Sequence, residues 1–311
     1  MPDRSELELA DGVRLHVQTC GPADASLTVV LLHGWCLDHR TWHHQVTTLL
    51  EQGDVRVVAY DARGHGRSGP TLLRSATLRQ LGDDLAEVLH AYAPDGPIVL
   101  AGHSMGGMTI MEYAYAYPDE FADRVAGLLF ASTTAEGTTH TRYGLPLPVA
   151  RLFRAAEQAG AGVLARCGAW RPHQAVLPAL LPAVRWLLFG DEFLPGDLQI
   201  TMSAVGRASL RSIGGFRSSI GAQQRLETLA ALADVPAAVL VGDRDRLTPP
   251  PCAEAIAAAL PGTALTIFPG AGHMLILERP GEVSEALAAI TARAAEGRRC
   301  NDFDDGYEQA A

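Results

Sequence analysis

Lysine is absent from this 311-residue chain, so all 25 of its basic residues are arginine. The absence excludes three kinds of catalytic group: a Schiff-base lysine, a serine–lysine dyad and the lysine of a phosphate-binding loop. The remaining composition is ordinary for a globular protein, with 48% hydrophobic and 19% charged residues. It therefore allows a sizeable apolar core.

Cysteine is scarce, and the five cysteines are scattered along the chain without a C-x-x-C spacing. An odd number without paired spacing indicates neither a disulfide framework nor a metal or redox site. We therefore expect reduced, structural cysteines and a cytoplasmic, bacterial protein that binds no metal. The residues are Cys20, Cys36, Cys167, Cys252 and Cys300.

The chain also lacks a basic excess and a long apolar run. Its formal net charge of −10 argues against nucleic acid as a partner. A membrane helix needs about 18 uninterrupted apolar residues, and the nearest approach, Val176 to Phe189, is broken by two prolines and an arginine. The first residues contain no apolar signal segment. We expect no membrane partner.

Apolar runs that alternate with helical periods predict an α/β fold with a doubly wound, mostly parallel sheet. A β-hairpin with a two-residue turn at Asp11 and Gly12 is expected to precede it. The predicted buried strands are Leu27 to Leu32, Val55 to Tyr60, Ile98 to Ala101, Val125 to Ala131, Ala237 to Val241 and Ala264 to Phe268. The predicted helices between and after them are Trp42 to Leu50, Leu78 to Tyr92, Met105 to Tyr117, Pro251 to Leu260 and Pro280 to Ala295.

The alternation stops over residues 133–233, which contain no clear strand and are rich in alanine, leucine, proline and arginine. Because the strand–helix pattern then resumes, this segment is interpreted as a helical cap inserted into one core, rather than as a separate domain. The predicted core comprises residues 1–132 and 234–297. The polar residues 298–311 are predicted to form a disordered tail.

The most informative segment is Gly102 to Gly107, which follows the predicted strand Ile98 to Ala101. Gly102 and Gly106 flank Ser104 in the pattern G-x-S-x-G. A serine in a sharp strand-to-helix turn needs small neighbours at those positions, because a Cβ would clash with the bent backbone. Ser104 is therefore a candidate nucleophile.

A serine nucleophile needs a histidine base, and the histidine needs a carboxylate. His273 lies in a glycine-rich loop directly after the predicted strand Ala264 to Phe268. Open α/β sheets place their sites at such strand ends. Asp243 and Asp245 both follow the strand Ala237 to Val241. We favour Asp245, which lies farther into the loop, whereas Asp243 would cap or brace the loop.

An oxyanion hole on this plan uses the backbone N–H of the residue after the nucleophile, which is Met105. The second donor is expected from the loop after the first parallel strand, and Trp35 fits because Gly34 lets the backbone turn inward. Trp35 and His103 are also predicted to contact the substrate.

At these residues the chain resembles the α/β-hydrolase superfamily, and within it the capped bacterial esterases that include cofactor-free perhydrolases. The resemblance covers residues 6–132 and 235–295, while the cap matches only in position and helical character. In that family the loop Asp61 to Ser68 is mainly structural. Related epoxide hydrolases and haloalkane dehalogenases have an aspartate nucleophile, which Ser104 argues against. The segments that carry the resemblance are His33 to Trp35, Asp61 to Ser68, Gly102 to Gly107, Gly242 to Asp245 and Gly272 to Met274.

The resemblance implies a serine esterase that cleaves a small carboxylic ester through an acyl-enzyme, with no metal or cofactor. Lactonase, thioesterase, carbon–carbon bond hydrolase and acyltransferase activity on the same residues remain alternatives, as does a small-molecule receptor without turnover. Apolar cap residues suggest an apolar pocket or packing within the cap. The cap arginines could bind an anionic group or form a solvated face; they include Arg142, Arg151, Arg154, Arg207, Arg211 and Arg217.

Overall fold

A computed structural model of the protein describes residues 3–51, 53–168, 170–171, 175, 177–232 and 235–308, with side chains as far as residue 296. The predicted cap–core boundary at residues 233 and 234 lies outside the described residues. Within them, no helix combines the length and apolar content needed to cross a membrane.

Eight strands form one sheet in the order β1-β2-β4-β3-β5-β6-β7-β8. The pairs β1–β2 and β2–β4 are antiparallel, and every other neighbouring pair is parallel. The predicted mostly parallel sheet is therefore confirmed. The strands are β1 Asp3–Glu8, β2 Arg14–Cys20, β3 Thr28–Leu32, β4 Arg56–Tyr60, β5 Ile98–His103, β6 Val125–Ala131, β7 Ala237–Gly242 and β8 Ala264–Phe268.

Twelve α-helices and two short 3₁₀-helices connect or flank the strands in the described part of the chain. The 3₁₀-helices are His39–Trp42 and Leu73–Ser75. The helices are α1 His43–Glu51, α2 Leu78–Tyr92, α3 Met105–Ala116, α4 Pro118–Arg124, α5 Leu147–Arg166, α6 Leu177–Leu188, α7 Pro195–Arg207, α8 Leu210–Ala222, α9 Leu226–Ala230, α10 Pro250–Ala259, α11 Leu275–Glu278 and α12 Pro280–Glu308.

The central strands are apolar throughout because both faces of the sheet are covered. Successive residues of a strand point to opposite faces. In β3, Val30 and Leu32 join a core cluster with residues of α2 and α3, whereas Val29 and Leu31 join a second cluster with residues of α1 and α12. A parallel sheet covered by helices on both sides buries its strands in this way.

The N-terminal hairpin has a longer turn than the sequence predicted. Glu8 pairs with Arg14, so five residues, and not two, connect β1 to β2. Leu9 N–H donates to the Val13 carbonyl at 2.9 Å, and the Leu9 side chain is buried in the core. Burial of Leu9 moves this residue out of the exposed edge strand and into the loop.

The prediction of disorder from residue 298 is corrected by α12, which continues to Glu308. Extending an existing helix costs far less than starting a new one, so a helix that begins at Pro280 can continue into a polar segment. Residues 309–311 lie outside the described part of the chain.

Five helices, α5 to α9, lie between β6 and β7; we call residues 133–232 the helical insertion. Because β6 and β7 are neighbouring parallel strands, the chain leaves the carboxyl edge of the sheet and returns to the next strand. The insertion contacts the core directly: Ser212 Oγ donates to the Gly64 carbonyl at 2.7 Å, and Gly190 N donates to Glu278 at 2.7 Å.

Candidate active site

Ser104 occupies a strained turn between β5 and α3. Its backbone has φ 51° and ψ −115°, a left-handed conformation that is uncommon outside glycine. A Cβ on Gly102 would lie 2.4 Å from Gly107 N, and one on Gly106 would lie 2.2 Å from the Leu32 carbonyl oxygen. Both glycines are thus required by close backbone contacts, as the sequence pattern predicted.

The structure brings Ser104, His273 and Asp245 into one hydrogen-bonded chain. Ser104 Oγ lies 3.0 Å from His273 Nε2, and His273 Nδ1 lies 2.9 Å from Asp245 Oδ2. Because a carboxylate accepts, Nδ1 carries the imidazole proton and leaves Nε2 free to accept the proton of Ser104. Each residue follows a different strand (β5, β7 or β8), and parallel strands end at the same edge.

Asp245 is set apart from its neighbour Asp243 by its surroundings. Asp245 is 3% exposed, and Asp243 instead accepts a hydrogen bond from Gly270 N at 2.8 Å. Burial alone would raise the pKa of Asp245, but the charge of His273 and hydrogen bonds from His273 and Thr248 outweigh burial and lower that pKa. The buried aspartate is therefore held in its charged form.

Two backbone N–H groups are available beside Ser104. Met105 is the first residue of α3, and the first N–H groups of a helix have no acceptor within it. Trp35 N–H makes no hydrogen bond to any described residue. Trp35, Ser104 and Met105 line one cavity, and the Trp35 indole donates to the Ser212 carbonyl at 3.2 Å. The two predicted oxyanion donors therefore flank the serine.

The expectation that His103 contacts substrate is not met. Its ring is completely buried, and Nε2 donates to the His273 carbonyl at 2.8 Å. Burial, followed by the neighbouring charge of His273, lowers the pKa of His103 to about 3, so the ring is neutral. The residue before Ser104 in a tight turn points away from the cavity, and His103 instead supports the backbone of His273.

Glu278 supports the His273 loop and was missed by the sequence reasoning. Its carboxylate accepts from Gly272 N at 2.9 Å and from Gly190 N at 2.7 Å, which ties the loop to the insertion. A Cβ on Gly272 would lie 2.5 Å from Gly190 N, so the backbones pack directly together. Burial raises the pKa of Glu278 to about 7 despite these hydrogen bonds. Its position five residues after His273 carried the only sequence signal.

Two cavities meet at Ser104. The larger, of about 260 Å³, is mostly apolar and is lined by residues that include Leu37, Phe153, Leu187 and His273. The smaller, of about 60 Å³, is lined by Met105, Met108 and several threonines, and by charged side chains of the insertion. Ligand sites are commonly apolar hollows of this kind with a few polar groups.

Two groups of histidine and aspartate side chains in the described residues could supply metal ligands. They are His16, His39 and Asp61, and His43, His44 and Asp197. Within them His39 binds Asp61 at 2.7 Å and His44 binds Asp197 at 3.3 Å. These aspartates thus already have protein partners, and neither group lines the cavities at Ser104.

Known proteins with similar sequences share this arrangement of segments. The chain is 36% identical over 110 residues to the bifunctional esterase/perhydrolase DCH of Acinetobacter calcoaceticus, a match that covers 35% of this chain and 38% of the relative. It is 34% identical over 128 residues to epoxide hydrolase B of Mycobacterium tuberculosis, covering 40% of this chain and 34% of the relative.

A solved structure extends the similarity to the whole chain. A thermophilic esterase from Thermogutta terrifontis, determined with malate bound, is 25% identical and superposes with a TM-score of 0.73. That match covers 94% of this chain and 99% of the esterase. The relatives support a hydrolytic activity. The sequence model described as the alpha/beta hydrolase family matches residues 29–286, and the chain belongs to this family.

Proposed function

We propose that the protein is a serine hydrolase that cleaves small carboxylic esters through an acyl-enzyme intermediate. The observation that carries this proposal is the chain of hydrogen bonds from Ser104 Oγ through His273 to Asp245, at 3.0 and 2.9 Å. A serine hydroxyl gains nucleophilicity only when a base can take its proton, and this chain supplies one.

In the first step, Ser104 Oγ attacks the ester carbonyl while His273 Nε2 takes the hydroxyl proton. Asp245 stabilises the resulting imidazolium and holds the ring in the required tautomer. His273 then gives that proton to the departing alkoxide, which leaves as the alcohol. In the second step, His273 activates a water molecule that attacks the acyl-enzyme, and the acid and free Ser104 are released.

The negative oxygen of each tetrahedral intermediate would be stabilised by the N–H groups of Met105 and Trp35. Such donors are fixed before the reaction, so they need no reorganisation when the charge develops. Removal of one donor in comparable sites costs about 3 kcal/mol of barrier. The positive end of α3 adds to this stabilisation, because Met105 begins the helix.

The helical insertion would act as the cap that selects the substrate. Phe153, Leu187 and Val205 from α5, α6 and α7 line the larger cavity. That cavity has room for an apolar arm of several carbon atoms, whereas the smaller one fits a short arm. This asymmetry favours esters with one short and one longer side.

Turnover of p-nitrophenyl esters by the wild type and by Ser104→Ala tests the proposal. Loss of the nucleophile should lower kcat by about 10⁴-fold or more and abolish labelling by a fluorophosphonate. Ser132→Ala is a matched control, since Ser132 is buried beside the site and its Oγ has no described partner. Ester turnover that survives in purified Ser104→Ala would refute the mechanism.

A panel of simple esters, lactones, thioesters and β-diketones separates ester hydrolysis from the other acyl reactions on the same residues. The proposal expects the esters to give the highest kcat/KM. A receptor would instead bind a ligand tightly and turn over no member of the panel.

A further inference from the structure

A charged cluster lies in the wall of the smaller cavity. Arg217 of α8 donates through Nε and Nη2 to the two carboxylate oxygens of Glu157 of α5, at 2.7 and 2.9 Å. The Tyr143 hydroxyl donates to Glu157 and accepts from Arg217 Nη2 at 3.2 Å. All three residues line the cavity that contains Ser104.

This ion pair is buried at a cost that its pairing does not clearly repay. The side chain of Arg217 is 5% exposed and that of Glu157 is 25% exposed. Desolvating two charges can cost as much as their attraction returns, so apolar residues could fill such a place equally well. Tyr143 adds strain, because its backbone is in the left-handed region with φ 54°. A contribution to binding accounts for this expense.

Arg217 retains donors that no described residue uses. A guanidinium has five N–H groups. Those on Nε and Nη2 bind Glu157 and Tyr143, whereas Nη1 makes no hydrogen bond to a described residue. Gly221 leaves room at this atom, since a Cβ there would lie 3.2 Å from Nη1. An oxygen atom of a ligand could accept the hydrogen bonds that Nη1 offers.

The charge balance of the cluster favours a neutral acceptor over an anion. Glu157 compensates the charge of Arg217 through two hydrogen bonds. Burial, and then the hydrogen bond to Glu157, raises the pKa of Tyr143 well above its usual range, so the phenol stays neutral. A carboxylate placed at Nη1 would be repelled by Glu157, whereas an ether, ketone or hydroxyl oxygen would meet an uncharged cluster.

We propose that Arg217 determines specificity by donating from Nη1 to a neutral oxygen on the short arm of the substrate, with Glu157 and Tyr143 as its positioning residues. The proposal rests on ester hydrolysis at Ser104. The cavity volume of about 60 Å³ corresponds to about two water molecules, which limits the arm to a few atoms. The implied substrates are small esters with an oxygen near the ester group.

Matched esters that exchange one methylene for oxygen test this preference. The acyl pair is p-nitrophenyl butyrate and p-nitrophenyl methoxyacetate, and the alcohol pair is butyl acetate and methoxyethyl acetate. Each kcat/KM is divided by the rate of alkaline hydrolysis to remove intrinsic reactivity. A hydrogen bond from a charged donor predicts a preference of about tenfold or more for the oxygen-containing member of one pair.

Arg217→Met should abolish that preference and leave the butyl or butyrate ester within about threefold of wild type, because it removes only the ligand hydrogen bond. Arg225→Met is the matched control: Arg225 pairs with Glu112 at 2.9 Å and lies outside both cavities. It should leave the preference intact. Equal loss on both members of each pair in Arg217→Met would overturn the proposal.

Glu157→Gln keeps the shape of the cluster and tests its charge if Arg217→Met does not fold. Without the compensating carboxylate, Arg217 should accept an anion. The kcat/KM for p-nitrophenyl hemisuccinate relative to butyrate should rise about tenfold, and an unchanged ratio would contradict the proposal. Wild-type turnover of both pairs without any preference overturns this inference alone, whereas no turnover of any ester overturns the proposed function on which it rests.

Discussion

The core and the helical insertion line the same cavity with different kinds of residue. The core contributes residues of short turns, Ser104, Asp245 and His273, whose backbones are fixed at the ends of buried strands. The insertion contributes long side chains on helices, such as Phe153, Leu187 and Arg217. Most of the large exposed hydrophobic side chains also lie in the insertion. The comparison assigns the chemical step to the core and the choice of substrate to the insertion.

The packing of the two regions explains this division. In the core, glycines such as Gly102 and Gly106 permit backbone contacts that leave no freedom for the turn at Ser104. In the insertion, exposed side chains such as Leu152 and Trp186 have few constraints from neighbours. A close-packed region responds to substitution with loss of function, whereas a loosely packed one can change its contacts.

The largest expected effect lies in the core, at the acid of the hydrogen-bonded chain. Asp245→Asn should lower kcat by about 10⁴-fold, because an amide at this position favours the wrong tautomer of His273. KM should change little, since Asp245 lies behind the histidine. Asp243→Asn is the control, with an expected loss below about tenfold. Equal losses in the two variants, measured by steady-state kinetics, would remove the distinction drawn between the aspartates.

The next effect tests whether the turn depends on close packing. Gly106→Ala would place a Cβ 2.2 Å from the Leu32 carbonyl oxygen. Displacement of Ser104 should lower kcat about 100-fold, and overpacking should destabilise the fold by about 1–3 kcal/mol. Gly196→Ala in α7 meets nothing within 4 Å and should be neutral. A fully active Gly106→Ala enzyme would show that the turn tolerates expansion.

A smaller and more selective effect is expected in the insertion. Leu187→Ala enlarges the wall of the larger cavity and should reduce the preference for hexanoate over acetate esters about tenfold. The kcat for the acetate ester should be retained. Leu180→Ala, on the exposed side of the same helix, should leave chain-length preference unchanged. A uniform fall in kcat in Leu187→Ala would contradict the division between core and insertion.

The smallest effect concerns Glu278, which joins the two regions. Its pKa is raised from 4.5 to about 7 in the folded state, so its stabilising contribution is complete below the lower value and is lost as the pH rises to the higher one. The slope is at most about 1.4 kcal/mol per pH unit. Urea unfolding between these pH values should show this decline in wild type and in the exposed control Glu282→Gln, but not in Glu278→Gln. A decline that persists in Glu278→Gln would assign it to another group.

Much of the fold could be predicted from local patterns. The strand Val125–Ala131 and the helix Leu78–Tyr92 have the predicted bounds because their apolar periods match the buried faces. The hairpin turn and the end of α12 were wrong, since burial of Leu9 and continuation of a helix are not visible as local breaks. The helix predicted at the end of the insertion is also shorter, Leu226–Ala230.

The sequence by itself determined the residues that must be small or polar at a strand end: the glycines around Ser104, and the order of serine, aspartate and histidine. Steric limits on a tight turn act over neighbouring residues, so they leave a local pattern. Only the tertiary structure decided that Asp245 and not Asp243 reaches His273, that His103 is buried behind it, and that Arg217, among the arginines of the insertion, lines the cavity. These outcomes depend on distances between residues far apart in the chain, and packing alone fixes those distances.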